Sequence, residues 1–310
     1  MDLLADALAI SGVRGTLGAR IAAGKDWGWW AAPSPGAAFH AVTSGTVWLA
    51  LPGRPAHQLV PGDLVLLPNG AEHVLASDHE ALARTNEQLS NEWERADTGE
   101  VKIGSGPVRT RVLCAHYEYD SAVSTQVLQQ LPEFLHIRAQ DGGGGLDDTI
   151  RLLARELAQP GVATGVILNS LVDVLLVQTL RAWLASEPGL PPQSWLGALE
   201  DPIVGAALSK LHDDPARAWT NATLAREVSV SGATLSRRFP LVIGETPAAY
   251  LTRWRMDLAA LRLRDTNDPL DTIARSVGYT SVYAFSRAFS RVRSEPPGRF
   301  RTMSRASAAA

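Results

Sequence analysis

Leu235-Ser236-Arg237-Arg238-Phe239 and Phe285-Ser286-Arg287-Ala288-Phe289 repeat one pattern at an offset of 50 residues. Upstream the offset falls to 49, because Leu224-Ala225 matches Ile273-Ala274 and the second copy has one extra residue in its turn. A repeat of this length near the end of a 310-residue chain predicts two copies of one helical supersecondary unit. The offset of 50 also relates Glu245 to Glu295, Pro247 to Pro297 and Tyr250 to Phe300.

Each copy has the spacing of a helix–turn–helix unit. In the first copy a helix over 221–228 carries the small residue Ala225 where a second helix crosses closely, and Ser231 caps that second helix. Leu235 and Phe239 are four residues apart, so both lie on the inward side of the second helix. The second copy repeats these features in the same order with a helix over 271–277, Ser281 as the cap, and Phe285 and Phe289 inward.

The outward sides of these second helices are placed to read DNA. A helix in the major groove reads base edges with three or four side chains. A connecting helix over 247–264 is about 27 Å long at ~1.5 Å per residue, which holds two such helices about one DNA turn (~34 Å) apart. The outward residues are Ala233, Ser236 and Arg237 in the first copy and Val282, Tyr283, Ser286 and Arg287 in the second.

The charge of the chain is divided along its length. Residues 1–200 contain 13 Lys and Arg against 22 Asp and Glu, whereas residues 201–310 contain 16 against 10. An acidic body joined to a basic C-terminal third indicates a module that binds a polyanion. Of the 16 basic residues in that third, 15 are arginine, which favours forked hydrogen bonds to phosphate and guanine.

This C-terminal part resembles the DNA-binding domain of the AraC family of bacterial transcription regulators. The resemblance rests on the two units, the connecting helix and the closing pattern Ile273-Ala274…Val277-Gly278-Tyr279…Pro297-Gly298-Arg299-Phe300-Arg301. Ser294 departs from it, because the family usually has glycine there. The resemblance implies base contacts by Ala233, Ser236, Arg237, Tyr283 and Arg287, and phosphate contacts by Arg238, Arg253, Arg255 and Arg291.

The N-terminal part has the pattern of a small β domain. Apolar runs of four to six residues between Pro and Gly turns over 37–74 predict an antiparallel sandwich or barrel. Gly62–His73 resembles the second motif of the cupin barrel, and Phe39–Gly45 a degraded first motif. His40 and His73 are the remaining candidate ligands, fewer than the roughly three that an open catalytic metal site needs. Three interpretations of this pair stay open: packing within the barrel, contact with a small molecule, and metal binding. Because the ligands are too few, we expect neither a metal nor a cofactor.

Cys114 is the single cysteine, which excludes an intrachain disulfide and a multi-cysteine zinc site and favours a reducing compartment. It lies on a late predicted strand, where the AraC subfamily with a cupin-like front half often keeps a cysteine. A thiolate is reactive when a nearby cation lowers its pKa, and His40 and His116 are candidate neighbours. Inert packing and redox sensing both remain open for Cys114.

A helical segment over 146–186 follows the predicted barrel. The apolar stripe of its second helix, 162–186, either covers the barrel or pairs with its twin, and we expect the homodimer that the resemblance implies. Asn169, Asp173, Gln178 and Arg181 interrupt this stretch and argue against a membrane span. The predicted parts are a cupin-like effector-binding domain (1–145), a helical dimerisation segment (146–186), a linker (187–200), a double helix–turn–helix domain (201–303) and a disordered tail (304–310).

The sequence therefore predicts an α+β multidomain protein: an N-terminal cupin-like β-barrel plus helices and a C-terminal all-α double helix–turn–helix domain. We expect a non-enzymatic transcription regulator that binds double-stranded DNA, senses a small-molecule or redox effector, and contacts RNA polymerase if it is an activator. Residues 1–10 contain two acidic and no basic residues, unlike a secretory signal, so we expect a cytoplasmic protein, nucleoid-associated when bound to DNA. The alternative is a metal-dependent cupin enzyme with an accessory helical domain.

Overall fold

The computed structural model describes residues 3–86, 94–95, 100–119, 128–141, 143–186 and 195–308. The chain forms two compact units. The sheet unit comprises 13–119 and 131–188, and the helical unit comprises 1–12, 120–130 and 189–310. The predicted boundary of the front domain differs from this division, because residues 1–12 and 120–130 belong to the helical unit.

The sheet unit has the expected sheet-rich, cupin-like architecture. Among the described residues, one sheet has seven strands in the order β11-β6-β3-β10-β1-β9-β8, and the other has four in the order β2-β7-β4-β5. The strands are β1 (Arg14–Lys25), β2 (Gly28–Ala31), β3 (Ala37–Ser44), β4 (Val47–Ala50), β5 (His57–Leu59), β6 (Leu64–Leu67), β7 (His73–Ala76), β8 (Glu94–Arg95), β9 (Glu100–Ile103), β10 (Ser105–Glu118) and β11 (Leu135–Ile137).

The core of this unit follows from the alternation of side chains along the strands. Alternate residues point inward and form a cluster that is almost fully excluded from solvent, which is the burial expected to stabilise such a fold. Its members include Ile21, Val42, Val47, Leu49, Leu67 and Val112, each at most 1% exposed.

The polar composition of residues 78–107 predicts a long loop with at most one helical turn, but the described part of this stretch contains a helix and strands. Asp78 caps a short helix, α2 (His79–Arg84), by accepting a hydrogen bond from the Ala81 amide at 2.8 Å. β9 then pairs in parallel with β1. β9 has no continuous apolar run, because its buried residues Val101 and Ile103 alternate with the polar residues Glu100 and Lys102.

Two helices follow: α4 (Thr164–Ser186) packs on β1 and β11 of the sheet, and α3 (Gly143–Ala158) packs on α4. Tyr117 donates a hydrogen bond from its hydroxyl to the Val172 carbonyl at 2.8 Å, and the Gly15 amide donates to Asp173 at 2.6 Å. α4 is long and apolar enough to cross a membrane, but its Asp173 carboxylate is used within the sheet unit. The buried side of α4 therefore covers the sheet of its own chain, through Leu168, Val172, Leu175, Leu176 and Leu180.

The helical unit matches the predicted order of elements. The bounds of α6, α8 and α9 agree with the predicted ones to within one residue. The helices are α1 (Leu3–Ser11), α5 (Pro202–Asp213), α6 (Asn221–Glu227), α7 (Gly232–Ile243), α8 (Pro247–Asp265), α9 (Leu270–Ser276), α10 (Val282–Arg293) and α11 (Pro297–Ala308).

A buried hydrogen-bond chain fastens α1 to the helical unit. Since a carboxylate only accepts, His212 donates from Nδ1 to Asp6 at 3.2 Å, and its Nε2 accepts from the Tyr250 hydroxyl at 2.7 Å. Tyr250 in turn accepts from the Trp195 indole at 3.2 Å. Burial lowers the pKa of His212 to about 3, and its ring stacks on Trp254 at 3.6 Å. This polar contact spans most of the chain, which is why the sequence did not reveal it.

The predicted linker and tail are also partly ordered. Residues 187–194 lie outside the described part of the chain, but Trp195, Leu196 and Ala198 are at most 2% exposed. α11 extends to Ala308, so the prediction of a disordered tail is wrong for residues 304–308. Arg305 explains the order, because its guanidinium donates to the Arg264 carbonyl at 3.2 Å and to Asn267 at 2.7 Å.

The second helices of the two helix–turn–helix units, α7 and α10, end in the same left-handed conformation with different residues. Gly244 has φ 84° after α7, and Ser294 has φ 59° after α10. Glycine adopts this region freely, whereas a residue with a Cβ is strained there. Ser294 thus keeps the conformation for which the AraC family usually has glycine.

We predict that Ser294→Gly stabilises the protein by about 0.5–1 kcal/mol, because it removes this strain. The reciprocal change Gly244→Ser should destabilise it by a similar amount. Urea denaturation of the full chain, followed by far-ultraviolet circular dichroism, measures both changes. A loss of stability in Ser294→Gly would contradict the assignment of strain.

Candidate DNA interface and barrel cluster

The orientation of α7 and α10 is set by one cap and two large buried side chains in each. Ser231 accepts a hydrogen bond from the Thr234 amide at 3.0 Å, and Ser281 accepts from the Ala284 amide at 3.4 Å. These caps satisfy amides that the first helical turn leaves free. The inward residues Leu235, Phe239, Phe285 and Phe289 are all fully buried, as predicted.

The outer side of α7 presents the expected residues to solvent. Ala233, Ser236 and Arg237 are all exposed. Asn221, at the start of α6, donates to the Ser236 hydroxyl at 2.9 Å and to the Gly232 carbonyl at 3.0 Å. Sequence reasoning missed Asn221, although a polar residue at a helix start and a serine on the next helix form a pair that such a turn brings together.

The outer side of α10 carries larger side chains than that of α7, and it combines apolar, aromatic and charged residues. Tyr283 is 72% exposed and Val282 38% exposed, Ser286 is half-buried, and Arg287 is exposed. The Arg287 guanidinium lies 5.8 Å from the centre of the Tyr283 ring. An exposed tyrosine beside an arginine is a combination that suits contact with a partner, because both residue types are enriched at binding surfaces.

The arginines assigned to phosphates divide into two groups. Arg253 pairs with Glu245 and is mostly buried, and Arg255 donates to the Pro215 carbonyl at 2.6 Å and to the Arg217 carbonyl at 2.9 Å. Arg238 donates to Asp201 at 2.7 Å.

Asp201 itself caps α5, so the contact with Arg238 links α7 to α5. These three guanidiniums therefore have partners within the helical unit, although the Arg238 side chain is still 51% exposed, and phosphate contact by them stays a prediction. Arg291 is exposed on α10 and keeps that expectation.

The sheet unit brings His40, His73 and Cys114 together. Cys114 pairs with His40 across β10 and β3, and its sulfur lies 3.1 Å from His40 Nδ1. His40 Nε2 lies 2.8 Å from His73 Nε2, and His73 Nδ1 lies 2.8 Å from the Ala71 carbonyl. His116, the other candidate neighbour of the thiol, lies further along β10, opposite Ala38 of β3.

The chemistry of these contacts assigns every proton. A carbonyl only accepts, so His73 donates from Nδ1, and its Nε2 accepts from His40 Nε2. His40 Nδ1 then accepts from the Cys114 thiol. Burial holds the pKa of His40 well below its usual range, and the neighbouring His73 lowers it further. Burial also raises the pKa of the Cys114 thiol. The cluster is therefore neutral, with the cysteine as a thiol.

This arrangement differs from that of a metal centre. His40 uses both ring nitrogens on different neighbours, so the three side chains form a chain and do not converge on one point. Within the described ranges, no group of three or more His, Cys, Asp and Glu side chains is placed to hold one metal ion.

Comparison with known proteins agrees with both units. The family model described as Cupin matches residues 2–185, and the one described as Helix-turn-helix domain matches residues 224–303. A putative AraC-like transcription regulator of Streptomyces lividans is 35% identical over 97% of this chain and 98% of its own. A putative AraC-like regulator of Streptomyces antibioticus is 33% identical over the same shares, and the regulator MtrA of Neisseria gonorrhoeae is 30% identical over 84% of this chain and 85% of its own. The chain belongs to the family of AraC-like transcription regulators that join an N-terminal cupin domain to a C-terminal helix–turn–helix DNA-binding domain.

Proposed function

We propose that this regulator binds a specific DNA site through α7 and α10, and that its sheet unit senses an effector and controls that binding. The observation that carries the proposal is the equivalence of the two recognition helices. Each has a serine cap, two fully buried side chains four residues apart, and an exposed arginine two residues after the first of them. The two helices therefore present an exposed arginine at equivalent positions.

The base contacts are assigned to the exposed residues of these sides. Arg237 and Arg287 reach furthest and carry the forked donors that match guanine. Tyr283 and Val282 supply apolar contact to a thymine methyl, and Ser236, Ser286 and Ala233 allow close approach of the helix. α8 has 19 residues and is about 28 Å long, which suits two reading helices in successive major grooves.

The homodimer is assigned to the outer side of α4. Its buried stripe is occupied by the sheet of the same unit, so a partner has to use the opposite side. That side carries Val166 at 68%, Ile167 at 40% and Val174 at 42% exposure. An exposed apolar row along a helix is the pattern of a helix–helix contact.

Regulation follows from the coupling of effector binding to the placement of two DNA-binding units on adjacent half-sites. His40, His73 and Cys114 act in this proposal as the hydrogen-bonded polar centre of the barrel. A small-molecule effector is favoured over a redox signal, because the thiol is buried and neutral. RNA polymerase is a further partner if the protein activates transcription. Since the proposed partner is double-stranded DNA, the proposed location is the cytoplasm, at the nucleoid when the protein is bound to DNA.

Arg287→Ala should weaken binding to the operator by about 1–3 kcal/mol and relax base preference at one position, because a guanine would lose its forked donor. Binding of the full chain to an operator selected from random duplexes, and to an unrelated duplex, measures this. The control is Arg151→Ala, which removes one exposed charge from α3 in the sheet unit. Equal affinity and preference of Arg287→Ala and wild type would refute the assignment.

Arg291→Ala should lower the salt slope of DNA binding by about one unit, since one phosphate contact is lost. Arg253→Ala should leave that slope unchanged and lower the stability of the helical unit, because it leaves Glu245 without its partner. Binding constants over a range of salt concentrations separate the two variants. If Arg253→Ala reduced the salt slope and Arg291→Ala did not, Arg253 and not Arg291 would be the residue that contacts phosphate.

The double variant Val166→Glu/Val174→Glu should convert a dimer into a monomer, because it places charges in an apolar helix contact. Size-exclusion chromatography with light scattering measures the mass. The control is Val60→Glu, a similarly exposed valine of the sheet unit. A monomeric wild type at micromolar concentration, or a double variant that stays dimeric, would exclude this interface.

A further inference from the structure

Asn221, the first residue of α6, joins the two helices of the first helix–turn–helix unit. Its side-chain amide lies 3.0 Å from the Gly232 carbonyl and 2.9 Å from the Ser236 hydroxyl. Gly232 and Ser236 are four residues apart, so both face the start of α6 from one side of α7. A Cβ at position 232 would lie 3.4 Å from the Asn221 amide nitrogen, so the amide packs directly on the start of α7.

The chemistry of these two contacts fixes the direction of both hydrogen bonds. A carbonyl only accepts, so the part of Asn221 that faces Gly232 is the amide nitrogen and not the oxygen. The same nitrogen donates its second hydrogen to the Ser236 oxygen. A hydroxyl has one hydrogen and two lone pairs, and Asn221 occupies one lone pair. The Ser236 hydrogen therefore points away from Asn221, and since Ser236 is exposed, it is available on the side of α7 that is assigned to DNA.

The second helix–turn–helix unit has aliphatic residues at the equivalent positions. α9 begins at Leu270, in the place of Asn221, and α10 begins at Val282, in the place of Gly232. An aliphatic side chain donates no hydrogen bond, so residue 270 cannot orient Ser286, the matching serine of α10. The two units therefore differ in the contact that orients this serine, although their caps and buried side chains match.

We propose that Asn221 is a positioning residue that makes Ser236 a hydrogen-bond donor to a base edge in the major groove. The proposal rests on the proposed function and deepens it, since it assigns a specificity determinant to α7. Guanine and thymine present acceptors in that groove and suit this donor, whereas cytosine presents an amino group that itself donates. The first unit therefore discriminates between bases through Ser236 in addition to Arg237.

A double-mutant cycle on operator binding separates action through Ser236 from a merely structural role. Ser236→Ala should weaken binding of the full chain to a selected operator roughly three- to tenfold, as expected for one hydrogen bond, and leave binding to an unrelated duplex unchanged. Asn221→Ala should weaken operator binding to a similar degree, because the serine loses its orientation. The variant with both changes should bind as Ser236→Ala does, since Asn221 acts through that hydroxyl.

The internal repeat supplies the matched control for this cycle. The effects of Leu270→Ala and Ser286→Ala should add in their double variant, because residue 270 supplies no hydrogen bond to the serine. Fluorescence anisotropy with labelled duplexes measures the binding constants. Urea denaturation of each variant shows that the compared proteins are folded under the conditions of the binding assay.

Asn221→Asp tests the direction of the hydrogen bond. Aspartate has nearly the same shape as asparagine, but its carboxylate only accepts, so Ser236 must donate to residue 221 and presents only lone pairs to DNA. The base position read by Ser236 is the one that loses preference in sites selected by Ser236→Ala. Sites selected by Asn221→Asp should shift at that position toward cytosine or adenine, whose amino groups donate. The added charge weakens binding to all sequences alike, so base preference and not affinity is the readout.

The proposal is overturned if Ser236→Ala or Asn221→Ala binds the operator as wild type does, if their effects add, or if Asn221→Asp keeps the wild-type base preference. Arg287→Ala, measured on the same operator, distinguishes this failure from failure of the proposed function. Weaker and less selective binding by Arg287→Ala would then remove only the assignment of Asn221. Wild-type affinity and preference in all of these variants would remove the proposed function as well.

Discussion

The burial of two large side chains on one side of each recognition helix is the constraint on which the rest depends. Leu235 and Phe239 on α7, and Phe285 and Phe289 on α10, are fully excluded from solvent. Burying a side chain of this size contributes about 1.5–3 kcal/mol, far more than an exposed ion pair. Rotation of either helix about its axis would expose these groups. The packing of these side chains therefore holds the arginines on the opposite side of each helix outward.

The same logic sorts the remaining arginines. A guanidinium that neutralises a carboxylate or fills carbonyl acceptors inside the unit would have to lose those partners before it bound a phosphate. Arg253, with Glu245, and Arg255, with two carbonyls, are of this kind. Arg237, Arg287 and Arg291 are exposed. The arginines of the C-terminal third thus include internally paired side chains, such as Arg253, and exposed ones, such as Arg237 and Arg287.

The sequence predicted the helical unit well because its evidence is local. Serine caps and residues four apart act within one or two turns, so the bounds of α6, α8 and α9 were found to within one residue. The attachment of α1 depends instead on the contact of Asp6 with His212, on a different helix far along the chain, and no local pattern encodes it. The strands of the predicted loop were missed for a related reason, since pairing partners stabilise them more than composition does.

The barrel cluster shows an intermediate case. Composition singled out His40, His73 and Cys114 as candidates, but only the register of β3 against β10 places the sulfur on His40. Their neutrality, and the chain of donors that ends at Ala71, follow from burial that the sequence does not state. Residue identity therefore found the three side chains, and the geometry joins them in one hydrogen-bonded chain.

The most direct test of the central claim is the base preference of sites selected from random duplexes by wild type, Arg237→Ala and Arg287→Ala. Two recognition helices on one connecting helix predict that each variant loses preference at one base position, and that the two positions lie about 10 base pairs apart. Loss at the same position in both variants, or no loss in either, would contradict the account.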